Sequence, residues 1–446
     1  MRAKPWRRGA GVALLCLSIP AWGFDLLDAY RDALTHDANL QASRSALAAA
    51  HEVVPQARAG LLPVVSANAQ RTHNETVNRQ KLITGGSIDL PANYPAETGV
   101  IALKQPLYRK ANWAQLSQAE AQVAAAEAAF EKDRQDAGLR AGAAYFDVLL
   151  AQAQVSALQA QLEALEEEQK RTARALEAGS GTRTDVDESR ARALQAKAAL
   201  LEANNTLENK RRALAALVGT SPRALADIVP ARLELVPPSP ATLEPWLQEV
   251  EAANPELASL ARQVDMANQE IEKQRAGHFP TLDLIAARQY GSNENNISIN
   301  VSYWTTYIGM QLAVPIFNGG GVSAAVRQAE ANRDKARHLL EAGRQRISVD
   351  TQKFFSGVAQ GVEKVQAFDA ALQSAEQALI SMRKGFQAGT NTQVDVLNAL
   401  QRVAEAKRAL AQARYDYLNS RLQLAAAAGQ LDDDLVAKVN NNLALP

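Results

Sequence analysis

The sequence predicts a mostly α-helical protein with a smaller β part, built as two copies of one unit. Each unit is a strand pair followed by a long helical hairpin. Three observations carry this. First, landmarks recur in a fixed order. QARAGLLP at 56–63 is echoed by KQRAGHFP at 273–280, LKQPLY at 103–108 by LAVPIF at 312–317, and Ala178-Gly179 with Thr184-Asp185-Val186 by Ala388-Gly389 with Val394-Asp395-Val396. All three separations are about 210 residues, the mark of a duplicated unit. Second, the stretches Ala111–Ala178 and Gly321–Ala388 contain no proline, and in the first only Gly138 and Gly142 interrupt a helix-forming composition. At 1.5 Å per residue each spans on the order of 100 Å. Third, the segments preceding them lose helical periodicity, gain Val, Thr, Asn, Gly and Pro, and alternate apolar with polar residues, as strands do.

Composition fits this reading better than a string of compact domains. The 446 residues include only 24 Gly and 17 Pro, and aromatics make up 5% of a chain that is 47% apolar. Ala and Leu supply most of that fraction, which suits closely packed helices.

Residues 1–23 read as a secretory signal peptide. Arg2, Lys4, Arg7 and Arg8 form a basic start, Gly9 to Ile19 an apolar run, and Ala21-Trp22-Gly23 a small-x-small cleavage site. A lipoprotein reading would make Cys16 the lipidated residue, but Leu15 stands where a small side chain is expected. Cleavage before Phe24 leaves a mature chain with no cysteine and a net charge of −4. No later window offers the roughly 20 apolar residues of a spanning helix, so a membrane location requires a β-barrel.

The first repeat covers 24–236. A single helix is expected from about Leu26 to Arg58, then strands near 64–75 and 98–107, and helices over 111–178 and 184–218. The seam is Val236-Pro237-Pro238-Ser239-Pro240. The second repeat covers 241–430, with strands near 281–290 and 297–314 and helices over 321–388 and 392–428. In its last strand Ile308, Met310, Leu312 and Val314 alternate with small or polar residues, which suits a barrel wall, and Tyr303, Trp304 and Tyr307 suit an interfacial girdle. Each long helix ends at Ala-Gly, a C-terminal signal. Thr182 or Thr184 would cap the next helix in copy one, and Thr390 or Thr392 in copy two. The strands therefore sit at one end of a rod and the turns at the other. Glu166, Glu167, Glu168, Lys170 and Arg171 are expected to form a solvated face. Residues 431–446, with three aspartates and three asparagines, are expected to form a surface strap or tail.

Charge and motif content exclude several classes. The 48 basic and 48 acidic residues balance, whereas nucleic-acid binders usually show a basic excess. Five scattered histidines give no metal pair. Gly319-Gly320-Gly321 follows a strand and opens a helix but lacks the Lys-Ser/Thr of a phosphate loop; a strand-to-helix transition needing permissive backbone explains it better. No nucleophile is joined to a base, so no enzyme is expected.

QPLYRKANW at 105–113, VPIFNGGGV at 314–322 and AGTNTQVDVLNA at 388–399, together with the signal peptide and the doubled units, resemble the TolC family of outer-membrane efflux and secretion channels, over about residues 24–430. The resemblance implies a homotrimer in the outer membrane of a Gram-negative bacterium. Its twelve-stranded barrel would continue as a helical tunnel through the periplasm, serving as the passive exit duct of type I protein secretion or drug efflux. It implies a periplasmic adaptor and an inner-membrane ABC or RND transporter as partners, contact with outer-membrane lipid, and no nucleic acid or cofactor. The absent lipobox leans towards the secretion branch. The family's two acidic aperture positions fall on Asp395 and Asn398, so only one carboxylate ring is expected. Its closing bonds between turns fall on Thr184 and Asp185 as acceptors, with Asn391 in place of an Arg and Phe386 in place of a Tyr. A weakened gate lock is therefore expected. The tips, Gly179, Ser180, Gly181 and Thr182 with Gly389, Thr390, Asn391 and Thr392, would meet the adaptor. The competing reading is a periplasmic coiled-coil adaptor or scaffold, which would carry one hairpin and soluble β-domains.

Overall fold

A computed structural model describes residues 24–222, 224–293 and 301–444. The signal-peptide segment and the start of the strand expected from 297 lie outside these. Three short helices open the chain: α1 (Leu26–His36), α2 (Ala38–His51) and α3 (Val53–Ala59). One continuous helix was the expectation. It breaks at Asp37, whose extended backbone ends α1 and whose side chain caps α2 at the Asn39 amide, 2.9 Å away. The Asp37 carboxylate is buried and held by Arg140 at 2.5 Å.

Strands β1 (Val64–Lys81) and β2 (Ser87–Tyr108) are much longer than the sequence suggests. Residues 76–81 are polar apart from Val77, and in 87–97 Pro91 and Pro95, which read as strand breakers, hide the alternation of Ile88, Leu90, Ala92 and Tyr94. Helix α4 (Lys110–Glu177) and α5 (Arg183–Val218) form the first hairpin. After β3 (Asp227–Ile228) come α6 (Leu243–Ala253) and α7 (Pro255–Arg275). The second unit is β4 (Thr281–Asn293), β5 (Val301–Ala313), α8 (Gly321–Gln387) and α9 (Gln393–Ala427). Gly319 and Gly320, with φ of +59° and +77°, turn β5 into α8.

The chain closes with α10 (Asp433–Asn440) and β6 (Leu443–Ala444). This segment is not the surface tail expected. β6 pairs antiparallel with β3, and Leu431, Val436, Val439 and Leu443 are buried in the main core. The polar run misleads because Asp432 is an N-cap and Asn442 is a buried bonding side chain.

That core gathers α1, the middle of α4, α8 and α9, and the terminal elements around Tyr145, Phe146, Leu149, Tyr417, Leu418 and Leu422. Gly138 and Gly142 let α4 approach closely. A Cβ on Gly138 would lie 2.4 Å from the Tyr30 ring, and one on Gly142 2.7 Å from Leu422. Helix α4 meets α7 on the strand side, through Gln118 and Glu270, and α5 on the tip side, through Asp147 and Lys210.

The four long strands form one antiparallel sheet in the order β1-β2-β4-β5, so β1 and β5 are its edges. Cross-strand partners share a face. One face carries Val65 and Ala67, Ile101 and Leu103, Leu284 and Ala286, and Ile308, Met310 and Leu312. The other carries Ser66, Asn68 and Gln70, Ala102 and Lys104, Asp283 and Gln289, and Thr305, Gly309 and Gln311, with Val64, Val100 and Ile285 among its apolar residues. The register also corrects the girdle. Trp304 lies on the apolar face beside Tyr290, ring centroids 5.0 Å apart, while Tyr303 and Tyr307 point to the polar face.

Candidate functional site

The two helical turns far from the sheet have nearly the same construction. In the first, Ala178 ends α4 and Gly179 takes φ +73°; the Gly179 amide donates to Leu176 O and the Ser180 amide to Ala175 O. In the second, Gly389 takes φ +76°; its amide donates to Phe386 O and that of Thr390 to Gly385 O. A side chain at a positive φ costs strain, which explains both glycines.

Thr182 and Thr392 are the N-caps; Thr184 and Thr390 are not. Each heads a capping box. The Thr182 hydroxyl lies 2.6 Å from Asp185 Oδ2 and accepts from the Asp185 amide at 3.2 Å. The Thr392 hydroxyl lies 2.7 Å from Asp395 Oδ2 and accepts from the Asp395 amide at 3.2 Å, and the Thr392 amide donates to Asp395 Oδ2 at 2.9 Å. Bonding from the Thr392 side chain, then from its amide, holds the Asp395 carboxyl below the usual carboxylate range. Asp395 therefore has a local structural task, and its charge stays on at neutral pH at an exposed helix start.

The remaining predicted positions are placed as follows. Asn398 is half-buried and accepts from Arg192 of α5 at 3.4 Å; the same guanidinium reaches Gln401 at 3.0 Å and Glu188 at 2.9 Å. Asn391 donates to the Met382 sulfur at 3.3 Å. Thr184 is exposed, and Asp185 and Phe386 are half-buried. Among the described residues, no hydrogen bond within the chain joins Thr184 or Asp185 to Phe386 or Asn391. The tip residues Gly179, Ser180, Thr182, Gly389, Thr390 and Thr392 are exposed, and Gly181 is half-buried.

The structure overturns one expectation beside the tips. Glu168 is not on a solvated face; its side chain is 1% exposed. It sits where α4 meets α8 and α9. Arg171 hydrogen-bonds its Oε1, the Arg383 Nε lies 3.7 Å from the same oxygen, and the Gln393 amide donates to Oε2 at 3.2 Å. One turn on, buried Thr172 and Ser189 share a 2.9 Å hydrogen bond between α4 and α5. Glu168 thus ties the first hairpin to the second. The run EEEQKR hid this because its neighbours Glu167 and Lys170 do form an exposed pair. Only the 3.6-residue phase, which puts Glu168 in line with buried Leu165 and Thr172, carries the signal.

A second charged cluster sits where strands become helices. Asp283, on the polar face of β4 and almost fully buried, accepts two bonds from Arg109 at 2.8 and 2.5 Å and lies 3.2 Å from Lys104. It fastens the β2–α4 joint of one repeat to the strand of the other.

A family model described as outer membrane efflux protein matches residues 29–220 and 246–430. The two matched segments correspond to the two repeats. The alkaline protease secretion protein AprF of Pseudomonas aeruginosa is 33% identical over 436 residues, which cover 97% of this chain and 89% of that protein. The proteases secretion protein PrtF of Dickeya chrysanthemi is 32% identical over 96% of this chain and 93% of its own length. Among solved structures, the outer membrane protein VceC of Vibrio cholerae superimposes with a TM-score of 0.75 over 91% of this chain and 97% of its own, at 21% identity, a likeness of fold.

Proposed function

The chain belongs to the outer membrane efflux protein family, and on that premise we propose that three copies form a passive export duct for polypeptides, the outermost part of a type I secretion system. The protein is an outer-membrane channel, which replaces the adaptor reading. The observation that carries the proposal is the two-faced, open-edged sheet. Its apolar face leaves Val65, Ile101, Ile308, Met310 and Leu312 exposed. The β5 segment from Trp304 to Leu312 runs about 27 Å along the strand, or about 20 Å vertically at a tilt near 40°, which accounts for most of the ~25 Å height of a lipid-facing band. Edge strands cannot stay unpaired in lipid, and four strands are too few to close. Pairing β5 of one copy with β1 of the next closes twelve.

The helical hairpins then form the periplasmic conduit, with the tips at its far end. Three Asp395 carboxylates would ring the aperture and favour cations, with Asn398 held back by Arg192. The exposed tips would receive the periplasmic adaptor, which recruits the inner-membrane transporter. The polypeptide cargo rests on the two relatives named for protease secretion.

Planar-bilayer recording of the purified protein tests the duct. Discrete cation-preferring openings from a trimer support it, and a protein that stays monomeric and gives no conductance refutes it. Secretion of a protease by a transporter and adaptor lacking their own outer component tests the cargo; rescue of small-drug resistance alone would move it to the efflux branch.

A further inference from the structure

The duplication makes one strand junction within the chain and leaves its counterpart open. The second strand of repeat one, β2, lies beside the first strand of repeat two, β4, with Pro106 opposite Asp283 and Gln105 opposite Leu284. The corresponding strands are β5 and β1, which are the two edges of the sheet among the described residues. The repeats also fix which residues correspond. LKQPLYR at 103–109 matches LAVPIFN at 312–318 through Pro106 and Pro315, and GLLP at 60–63 matches GHFP at 277–280 through Pro63 and Pro280. Asp283 then corresponds to Ser66, Leu284 to Ala67, Lys104 to Ala313 and Arg109 to Asn318. Sidedness is preserved. Leu284, Ala67, Leu103 and Leu312 lie on the apolar face, and Asp283, Ser66, Lys104 and Ala313 on the other.

At the helix end of the sheet, β5 stops short of its counterpart. Beyond Lys104, β2 has left β1 behind, yet it stays a strand to Tyr108 because β4 still runs beside it, with Tyr108 opposite Leu282. β5 leaves β4 at Ala313 opposite Thr281 and ends there, four residues short of Phe317, the equivalent of Tyr108. Ile316 and Phe317 are consequently 96% and 85% exposed, against 46% and 42% for Leu107 and Tyr108. The start of β1 is bare in the same way. Leu62 and Val65, the equivalents of Phe279 and Leu282, are both exposed. Large apolar side chains gathered in water mark an interaction surface, and an open strand edge beside them is a template for another chain.

We propose that Val314–Phe317 continues β5 along β1 of the next copy, with Gln311 opposite Gln70, Pro315 opposite Ser66 and Phe317 opposite Val65 of that copy. The junction between copies then repeats the in-chain one, residue for residue. The inference rests on the trimeric reading above. A head-to-tail contact of this kind generates a ring when its rotation closes. The two kinds of junction differ in charge. Within the chain, Asp283 is clasped by Arg109 and Lys104. The corresponding Ser66, Asn318 and Ala313 carry no charge. The junction between copies is therefore held by strand pairing and by partial burial of Ile316 and Phe317, so clasped and unclasped junctions alternate round the barrel.

The only cysteine, Cys16, lies in the segment read as a signal peptide, so introduced pairs report the register directly. Gln311→Cys is combined in turn with Asn68→Cys, Gln70→Cys and Thr72→Cys, all on the polar face. Within one copy β2 and β4 separate β1 from β5, so every link joins two copies. Purified protein is sized by native mass measurement, oxidised briefly and run on denaturing gels without reductant. The pair with Gln70→Cys should link several-fold faster than the other two and give covalent trimers, because displaced partners lie about 7–8 Å apart instead of about 5 Å. Phe317→Cys with Val65→Cys should link as well. Fastest linking through Asn68→Cys or Thr72→Cys overturns the register. Linking on the polar face without any at Phe317→Cys with Val65→Cys overturns the extension of β5. Intact trimers that link nowhere overturn the junction, leave Ile316 and Phe317 to lipid, and keep the duct. If the unsubstituted chain forms no trimer, the duct and the junction fall together.

Discussion

The tie at Glu168 yields an ordered set of energies. Its carboxylate is 1% exposed, whereas Arg171 and Arg383 are 42% and 41% exposed. The cost of breaking the cluster therefore depends on which side is removed. In Arg171→Met/Arg383→Met the buried carboxylate keeps only the Gln393 amide, and an uncompensated buried charge costs about 3–5 kcal/mol. In Glu168→Gln the charge disappears, the two guanidinium groups turn to water, and only the charge-assisted part of the bonding is lost, about 1–2 kcal/mol. Glu168→Leu also strands the buried Gln393 amide and falls between the two. If the tie holds the hairpins in the closed arrangement, each 1.4 kcal/mol multiplies the ratio of open to closed by about ten. Glu168→Gln should then raise the open probability of single channels about 5- to 30-fold, and the double Arg variant by more, with matching losses of thermal stability. Bilayer recording and melting of the trimer read the two effects. A double Arg variant as stable and as closed as wild type, or one milder than Glu168→Gln, would sink the reasoning.

Asp395→Asn should abolish cation preference and divalent block in bilayers while leaving trimers intact; unchanged selectivity discards the aperture ring. The pH dependence has a definite sign. A carboxyl lowered in the folded state contributes its stabilisation above its ordinary range and loses it only as pH falls through the lowered value, so reversal potentials should not change between pH 7 and pH 5. Loss of preference by pH 5 would contradict the cap geometry. Gly138→Ala pushes a methyl into the enclosed Tyr30 ring and should destabilise by about 1–2 kcal/mol after the helix-propensity gain of roughly 0.5–1 kcal/mol. Gly142→Ala meets only the movable end of Leu422 and should be nearly neutral; equal effects in denaturant melts would refute the distinction. Bulky replacements at Gly179 and Gly389 should block export without preventing assembly, and wild-type secretion from such a variant would remove the tips from the adaptor contact.

The architecture was legible because its signals are long. Duplication, proline-free helices and paired Ala-Gly turns each extend over many residues, and no local ambiguity cancels them. What was not legible depends on which side of an element a residue occupies once a partner element is present. The aromatic girdle is not of that kind. Tyr303 and Trp304 are neighbours in sequence and therefore sit on opposite faces of β5, so a girdle of Tyr303, Trp304 and Tyr307 on one face was already excluded by the strand period that puts Trp304 with Ile308, Met310 and Leu312. Glu168 differs from Glu167 by one helical step of 100°, enough to exchange water for the junction of three helices. The outer part of β1 is polar apart from Val77, and in β2 the prolines Pro91 and Pro95 mask the alternation of Ile88, Leu90, Ala92 and Tyr94.

The same contrast bears on where the conduit can move. Around the middle of the helices the two repeats are joined by a large apolar core with several aromatic rings. Towards the tips the apolar contacts shrink to a small cluster of Leu162, Leu165, Ala193, Ala196, Leu397 and Leu400. At the level of this cluster Arg192 bonds Asn398 and Gln401, and beyond it Glu168 ties the repeats through Gln393 and Arg383. Apolar packing resists any change of spacing, since separated surfaces must be wetted, while a carboxylate between mobile guanidinium groups can exchange one partner for another or for water. Opening by movement of α8 and α9 against α4 and α5 would thus separate the tips first and leave the core as the fixed end of a long lever. On that reasoning a substitution that enlarges the small cluster, such as Ala196→Leu, should lower open probability if it packs, and Glu168→Gln in the same chain should restore it. Independent effects that simply add would mean the two sites do not oppose the same motion.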